Sequence, residues 1–353
     1  MRYNLAKNSK KFPLPNLSSS QKESYNTLLK EGLNELLNEF GTIVDESGRG
    51  WELTFSNPTL EKPLISIEEA IRKGKSYEAP WYLTATLKDP VRRIEKVQNI
   101  YMGDIPLMTD TGTFIINGIE KIVQHQLVRA EGAYFTAEIS PLTRQILGGV
   151  KIQPKIGSWI EIETSRTGVL SVKIDKKRKF TATTLLRAFG IETDDQIREL
   201  FKDVDTNPEV SYIESTIVKD PSSSKEEAAI EIFRKLKPGE PLILEDAQKE
   251  IERTFFDPNR YSLGKVGRFK INQKFGLDTP NDEIHRLITK EDLVQIIKYI
   301  IKINNGLGEP DDIDHLGNRR LKSVGELLQI EVRRGYLQLK ANILEKISLQ
   351  QRD

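Results

Sequence analysis

Tyr101-Met-Gly-Asp-Ile-Pro-Leu-Met-Thr-Asp-Thr-Gly-Thr-Phe-Ile-Ile-Asn-Gly-Ile-Glu-Lys121 decides how the rest of the chain reads. A run this rich in glycine, proline and polar residues fits neither a plain helix nor a plain strand. Its glycines at 103, 112 and 118 suit tight backbone turns. Asp110-Thr-Gly112 predicts one turn, and Asn117-Gly118 a second, because both residues tolerate positive φ. Short strands over Ile94–Met102 and Gly112–Ile116 extend a sheet. The role of the run itself is architectural.

Upstream, Trp51-Glu-Leu-Thr-Phe55 and Trp81-Tyr-Leu-Thr-Ala-Thr-Leu87 alternate apolar and polar residues, the period of half-buried strands. Between them, Ser66 followed by Glu69 predicts a capped helix to Lys73. Earlier still, Tyr25, Leu28, Leu29, Leu33, Leu36, Leu37 and Phe40 lie at helical spacing, with serines at the start and Gly41 as the stop. Residues 1–16, polar with two prolines, read as a flexible arm. Downstream, Glu120 to Arg129 is extended. Strands follow at Val150–Pro154, Trp159–Glu163 and Leu170–Ile174. Helical patterns cover Thr183–Phe189, Asp194–Phe201, Lys225–Leu236, Leu244–Phe255, Lys290–Ile303 and Ser323–Ile347, the last being the longest. The expected fold class is α+β: two mixed domains and a long C-terminal helix.

The chain has 353 residues, 37% hydrophobic and 30% charged, enough for two or three domains. It contains no cysteine, which excludes disulfides, thiolate metal sites and cysteine nucleophiles. No run of about eighteen apolar residues predicts a membrane span, and the basic N-terminus lacks the apolar core of a secretory signal. A cytoplasmic location is the default expectation. Net charge is +1, which argues against a uniformly basic coat but not against a local basic stripe. Arg166 to Lys179 is basic, whereas Glu226–Glu252 and Asp311–Asp314 are acidic.

Five groups of residues carry candidate chemistry. Trp159 is either strand core or a platform for stacking a base. Asp175-Lys-Lys-Arg-Lys179 is either a solvated loop or a phosphate-binding run, through Lys176 and Lys177. Asp311-Asp-Ile-Asp-His315 resembles a metal cluster, but no second cluster at ligand spacing exists, and His125 and His285 are isolated; no metal is expected. Asp314 with Arg319 reads better as a carboxylate and a guanidinium for a base edge or a phosphate, or as an interdomain salt bridge. In Arg260-Tyr-Ser-Leu-Gly-Lys-Val-Gly-Arg268, glycines alternating with cations suit close approach to another chain or to nucleic acid. Arg319, Arg320, Lys322, Arg333 and Arg334 give the last helix a basic side.

Tyr101–Lys121, Arg260–Arg268 and Asp311-Asp-Ile-Asp-His-Leu-Gly-Asn-Arg-Arg320 resemble, in order, the signatures of the bacterial RNA polymerase β subunit near its N-terminus. The resemblance runs from Leu14 to about Leu349. It implies a protrusion domain formed by residues 1–127 and 321–353, with the lobe, 128–320, inserted between them. It implies that Arg129, Ile313, Asp314 and Arg319 form a pocket for a guanine of the non-template strand. Trp159 would stack on an unpaired base of that strand, and Asp175, Lys176 and Lys177 would flank the DNA. Lys176 stands where arginine is common, which removes a planar bidentate contact. Gln124, His125 and Gln126 fall in the rifamycin-pocket neighbourhood; His125 and Ala130-Glu-Gly132 depart from the family's Ser and Ser-Pro-Gly, putting inhibitor binding in doubt. The implied partners are DNA, the remainder of β, the β′ and α subunits and a sigma factor, with no membrane. Catalytic Mg2+ belongs to β′, and no acid/base dyad, phosphate loop or nucleophile here replaces it, so no activity is expected of this piece alone. The alternatives are a truncated or split-gene assembly module without independent DNA contact, and an unrelated nucleic-acid-binding protein.

Overall fold

The leucine-rich N-terminal pattern forms α1 (Ser19–Thr27) and α2 (Leu33–Phe40), joined without a break by a π-turn over Leu28–Gly32. This computed structural model describes residues 16–44, 50–90, 93–258 and 260–349, so the arm expected at 1–16 lies outside them except for Asn16. The inserted turn rotates the second half of the helix. Leu28, Leu33 and Leu37 are buried together with Trp81, Leu83 and Tyr336. Gly41, at φ +56°, ends the helix. The chain then forms β1 (Ile43–Val44), β2 (Glu52–Leu60), α3 (Ile67–Lys73), β3 (Glu78–Asp89) and β4 (Ile94–Pro106). The strands pair antiparallel in the order β1-β2-β3-β4. Ser66 caps α3 by accepting the Glu69 N–H at 3.2 Å.

Within the opening stretch, Gly112 N–H closes the first turn on Thr109 O at 3.0 Å. β5 (Phe114–Ile116) and β6 (Ile119–Lys121) form a hairpin around Asn117 and Gly118, at φ 51° and 75°. Those angles match a type I′ turn. A Cβ at Gly118 would sit 2.7 Å from Gly74 Cα, so no side chain fits there. β7 (Gln126–Arg129) follows.

The elements before β7 belong to a compact unit, Met1–Leu127 with Leu321–Asp353; the other unit, Val128–Arg320, begins within β7. The second unit is built on β8 (Gly132–Ile139), β9 (Ile146–Gln153), β10 (Ile160–Thr164), β11 (Leu170–Ile174) and β12 (Phe180–Thr181). All pair antiparallel in the order β12-β11-β10-β9-β8. Seven helices accompany the sheet: α4 (Ala182–Ala188), α5 (Asp194–Phe201), α6 (Tyr212–Lys219), α7 (Lys225–Leu236), α8 (Leu244–Ile251), α9 (Gly264–Phe275) and α10 (Lys290–Asn304). Val150, Ile152, Ile160, Ile162, Val172 and Ile174 share one core with Leu293, Ile296, Ile297 and Ile300 of α10. β8, α6 and α9 go beyond the sequence expectation. Two glycines lower the helix propensity of α9, but Gly267 lets it press on the start of β8, where a Cβ would lie 3.2 Å from Glu131 Cβ.

The chain leaves this unit through β13 (Arg319–Lys322), which pairs with β7 in a two-stranded sheet. α11 (Val324–Leu349) then packs on α1 in the first unit. Gly325 marks their closest approach: a Cβ there would meet Ser24 O at 2.2 Å. Ser24 Oγ also accepts the Gly325 N–H at 2.9 Å and donates to Ser323 Oγ at 2.6 Å. Gly325→Ala is therefore expected to destabilise this unit by about 1–3 kcal/mol through overpacking. Urea denaturation followed by fluorescence of Trp81 checks it, and an unchanged midpoint would mean the helices can part freely. Arg333 pairs with Glu39 at 2.7 Å and Arg334 with Glu331 at 2.8 Å, so carboxylates balance these two of the cations that the sequence placed on the helix's basic side. No helix among the described residues is long and apolar enough to cross a membrane.

Candidate nucleic-acid interface

Strand register places several of the candidate residues at one end of the five-stranded sheet. Ala133 pairs with Ile152, Ile152 with Ile160, and Ile160 with Ile174, forming one row across four strands. Trp159 immediately precedes Ile160, Asp175 immediately follows Ile174, and Arg129 lies four residues before Ala133. In antiparallel strands these positions all leave the sheet from the same end. Three strand spacings separate β8 from β11, or about 14 Å.

Trp159 is 40% exposed, which sets aside the core reading of its indole. The Trp159 backbone N–H donates to Asp175 Oδ1 at 2.8 Å, and Asp175 N–H donates back to Trp159 O at 2.9 Å. Asp175 thus fixes the backbone that carries the indole. Asp175 and Lys176 sit at φ 47° and 60°, and Lys177 N–H closes the turn on Ile174 O at 2.9 Å. The basic run is not uniform. Lys177 Nζ donates to Leu236 O at 3.1 Å, at the C-terminal end of α7, where the helix dipole favours a cation. Lys179 and Lys173 both bind Glu163, at 3.0 and 2.9 Å. Partial burial raises the Glu163 pKa, but the two lysines outweigh it and hold the carboxyl below its ordinary value. Lys176 and Arg178 are exposed and form no ion pair among the described residues.

The acidic segment before β13 divides in the same way. Asp311 exchanges backbone and side-chain hydrogen bonds with Phe135 on β8: Phe135 N–H donates to Asp311 Oδ2 and Asp311 N–H to Phe135 O, both at 2.8 Å. Lys274 completes the anchor, bonded to Asp311 Oδ1 at 2.6 Å. His315 Nδ1 accepts the Gly317 N–H at 3.0 Å, and Asp312 Oδ1 accepts the Asp314 N–H at 2.9 Å. Ile313 is half-buried and Asp314 exposed. Neither Asp314 nor Arg319 forms an ion pair among the described residues. Arg129 has no carboxylate partner among the described residues; its Cζ lies 5.6 Å from the centre of the Tyr134 ring. Ala130 N–H donates to Asn318 O at 2.9 Å, so Arg129 and Arg319 flank a single hydrogen bond. Arg320 differs, being paired with Glu131 at 2.8 Å.

Arg260–Arg268 supports this sheet end from within the chain. Lys155 and Ile156 N–H both donate to Ser262 O, at 2.8 and 3.1 Å, and Ser262 N–H returns to Ile156 O at 2.9 Å. The glycines of the segment approach the protein's own backbone and side chains, not an outside strand. Arg268 is fully buried in a bidentate pair with Asp292, which removes it from any surface role. In the first unit, Gln124 and Gln126 are exposed, and His125 is half-buried with Nδ1 enclosed and unpartnered. The sequence reading did not single out Tyr134, Lys270 or Asn318, which hold the Arg129 and Arg319 segments together; their link is a contact between positions 134, 270 and 318, and no local pattern signals it.

An exposed indole beside guanidinium and ammonium groups free of carboxylates can stack a base and neutralise phosphates. Comparison with known proteins gives the chain a family. The chain belongs to the family described as RNA polymerase Rpb2, domain 2, whose model matches residues 129–322. It is 42% identical over 340 residues to a DNA-directed RNA polymerase subunit beta of Dehalococcoides mccartyi, covering 95% of this chain and 27% of that protein. It is 42% identical over 337 residues to the one of Gloeobacter violaceus, and 39% identical over 365 residues to the one of Chloroflexus aggregans. The chain spans 27–30% of the length of these relatives.

Proposed function

We propose that this chain is the N-terminal, protrusion-and-lobe portion of an RNA polymerase β subunit, and that the sheet end of Val128–Arg320 contacts downstream duplex and the separated non-template strand. The observation that carries this reading is the half-exposed Trp159, at the same sheet end as Arg129 and Lys176, which have no carboxylate partner among the described residues. Stacking tolerates any base, while each cation that meets a phosphate adds counterion release. Polymerisation would need the rest of β, β′ with its Mg2+ and the α subunits, with a sigma factor as a further partner of the assembled enzyme, in the cytoplasm. The isolated chain incorporates no nucleotides on this reading.

Forked DNA titrated at several salt concentrations tests it. The affinity should fall steeply with salt, and neutralising Lys176 should reduce the salt slope by about 1. Neutralising Lys177 should change the slope less, because its ammonium is held on Leu236 O. A salt-independent affinity, or none, together with tight binding of the remainder of β, would replace this reading with that of an assembly module.

A further inference from the structure

We propose that Lys270 is a positioning residue that sets the spacing between the Arg129 and Arg319 guanidiniums, and with it the base preference of this surface. The inference rests on the DNA-binding reading above. Lys270 projects from α9, and its Nζ lies 2.9 Å from Gly317 O, 3.1 Å from Asn318 Oδ1 and 3.4 Å from the Tyr134 hydroxyl. An ammonium has three N–H donors, and these three oxygens account for them. Two of them belong to the residues immediately before Arg319. The third belongs to Tyr134, only 2% exposed, whose hydroxyl donates to Ala130 O at 2.7 Å, next to Arg129. The Lys270 ammonium also stands 5.3 Å from the centre of the Tyr134 ring, and Arg129 Cζ 5.6 Å from the same ring. Both are distances at which a cation is attracted to an aromatic face. One side chain thus ties together the two segments that carry the guanidiniums.

The chemistry of its acceptors separates Lys270 from the nearby structural lysine. Lys274, one turn further along α9, forms an ion pair with Asp311 at 2.6 Å. Lys270 binds neutral oxygens only. Burial lowers its pKa, against the raising influence of Asp311 and Glu131. No carboxylate is among the oxygens that accept from its ammonium. A base edge read by two guanidiniums requires fixed geometry, because hydrogen bonds weaken steeply with misalignment. Fixing the geometry from behind, through Tyr134 and Asn318, leaves both guanidiniums free for the ligand.

The test uses the full chain with Lys270→Met and Lys270→Arg. One measurement is hydrogen exchange at the Ala130 amide, which is bonded to Asn318 O. The other is affinity for a thymine-rich single strand carrying one guanine or one adenine. The unsubstituted chain should favour guanine about tenfold, the scale of a bidentate contact. In Lys270→Met that preference should fall below about twofold and Ala130 should exchange at least about tenfold faster, while the all-thymine strand, held by stacking and phosphate contacts, keeps its affinity within about threefold. Lys270→Arg should restore part of the preference, since a guanidinium reaches the same oxygens. A preference retained in Lys270→Met, or an unchanged Ala130 exchange rate, overturns the proposal. If the unsubstituted chain shows no guanine preference, the base-pocket reading fails on its own, and the Ala130 exchange rate alone decides whether Lys270 positions the two segments.

Discussion

Replacing Arg268 with methionine is expected to destabilise Val128–Arg320 by about 3–5 kcal/mol, the usual cost of removing one partner from a buried ion pair. Both side chains of the pair are 0% exposed. Arg268 Nη1 binds Asp292 Oδ1 at 2.7 Å, and Nη2 binds Asp292 Oδ2 at 2.9 Å. Nε donates to His285 O at 2.9 Å, and Nη2 also reaches Leu287 O. The guanidinium therefore holds the 285–287 segment as well as the carboxylate. Asp292 has a second duty: Oδ2 accepts the Thr289 N–H at 2.8 Å, in the capping box that begins α10. Without Arg268 the carboxylate is left buried and uncompensated, and two backbone carbonyls lose their donor. Asp292→Asn keeps the cap and loses the charge, so it should cost less than Asp292→Ala. A double-mutant cycle of Arg268→Met with Asp292→Ala, followed by urea denaturation, should show losses well short of additive. A single-mutant loss below about 1 kcal/mol would mean that water reaches the pair, contrary to its geometry.

Trp159→Ala is expected to weaken binding of single-stranded or forked DNA by about 1–3 kcal/mol, roughly five- to 150-fold. The same substitution should change folding stability by less than about 1 kcal/mol, because exposed positions make small contributions. Trp159→Phe keeps an aromatic face and should recover part of the affinity. The contrast is with Trp81, 7% exposed and set edge-on to Tyr336 in the core of the other unit. Fluorescence anisotropy of a labelled fork, at fixed salt, measures the first quantity, and chemical denaturation the second. Unchanged affinity in Trp159→Ala would end the stacking role, whatever the stability shows.

The two tryptophans show how far sequence reading reaches. Trp81 and Trp159 both stand beside alternating strand patterns, and local periodicity gives each the same expectation of burial. The outcome differs because Trp81 lies within β3, facing α2 and α11, whereas Trp159 lies one residue before β10, where the sheet ends. The cations of the Asp175–Lys179 run show the same limit. Their sequence is uniform, yet Lys177 is held by a carbonyl 59 residues away and Lys179 by Glu163, leaving Lys176 and Arg178 open. Arg268 reads as a surface cation in a glycine-rich motif, and is the largest fully buried side chain among the described residues.

The sequence by itself determined the features that depend on residues a few positions apart. The leucine spacing of α1 and α2, the strands from β9 to β11, the Ser66 cap and the Asn117-Gly118 turn all follow from local periodicity and backbone preference. The two glycines of α9 worked against that logic, because a helix there is stabilised by its seat on β8 and not by propensity. Only the tertiary structure decided which charges are neutralised and which stay available, and which residues share one end of a sheet. Those outcomes depend on the group facing each side chain from positions well beyond its own element, and on strand register, where a shift of one residue would exchange every inward side chain for an outward one.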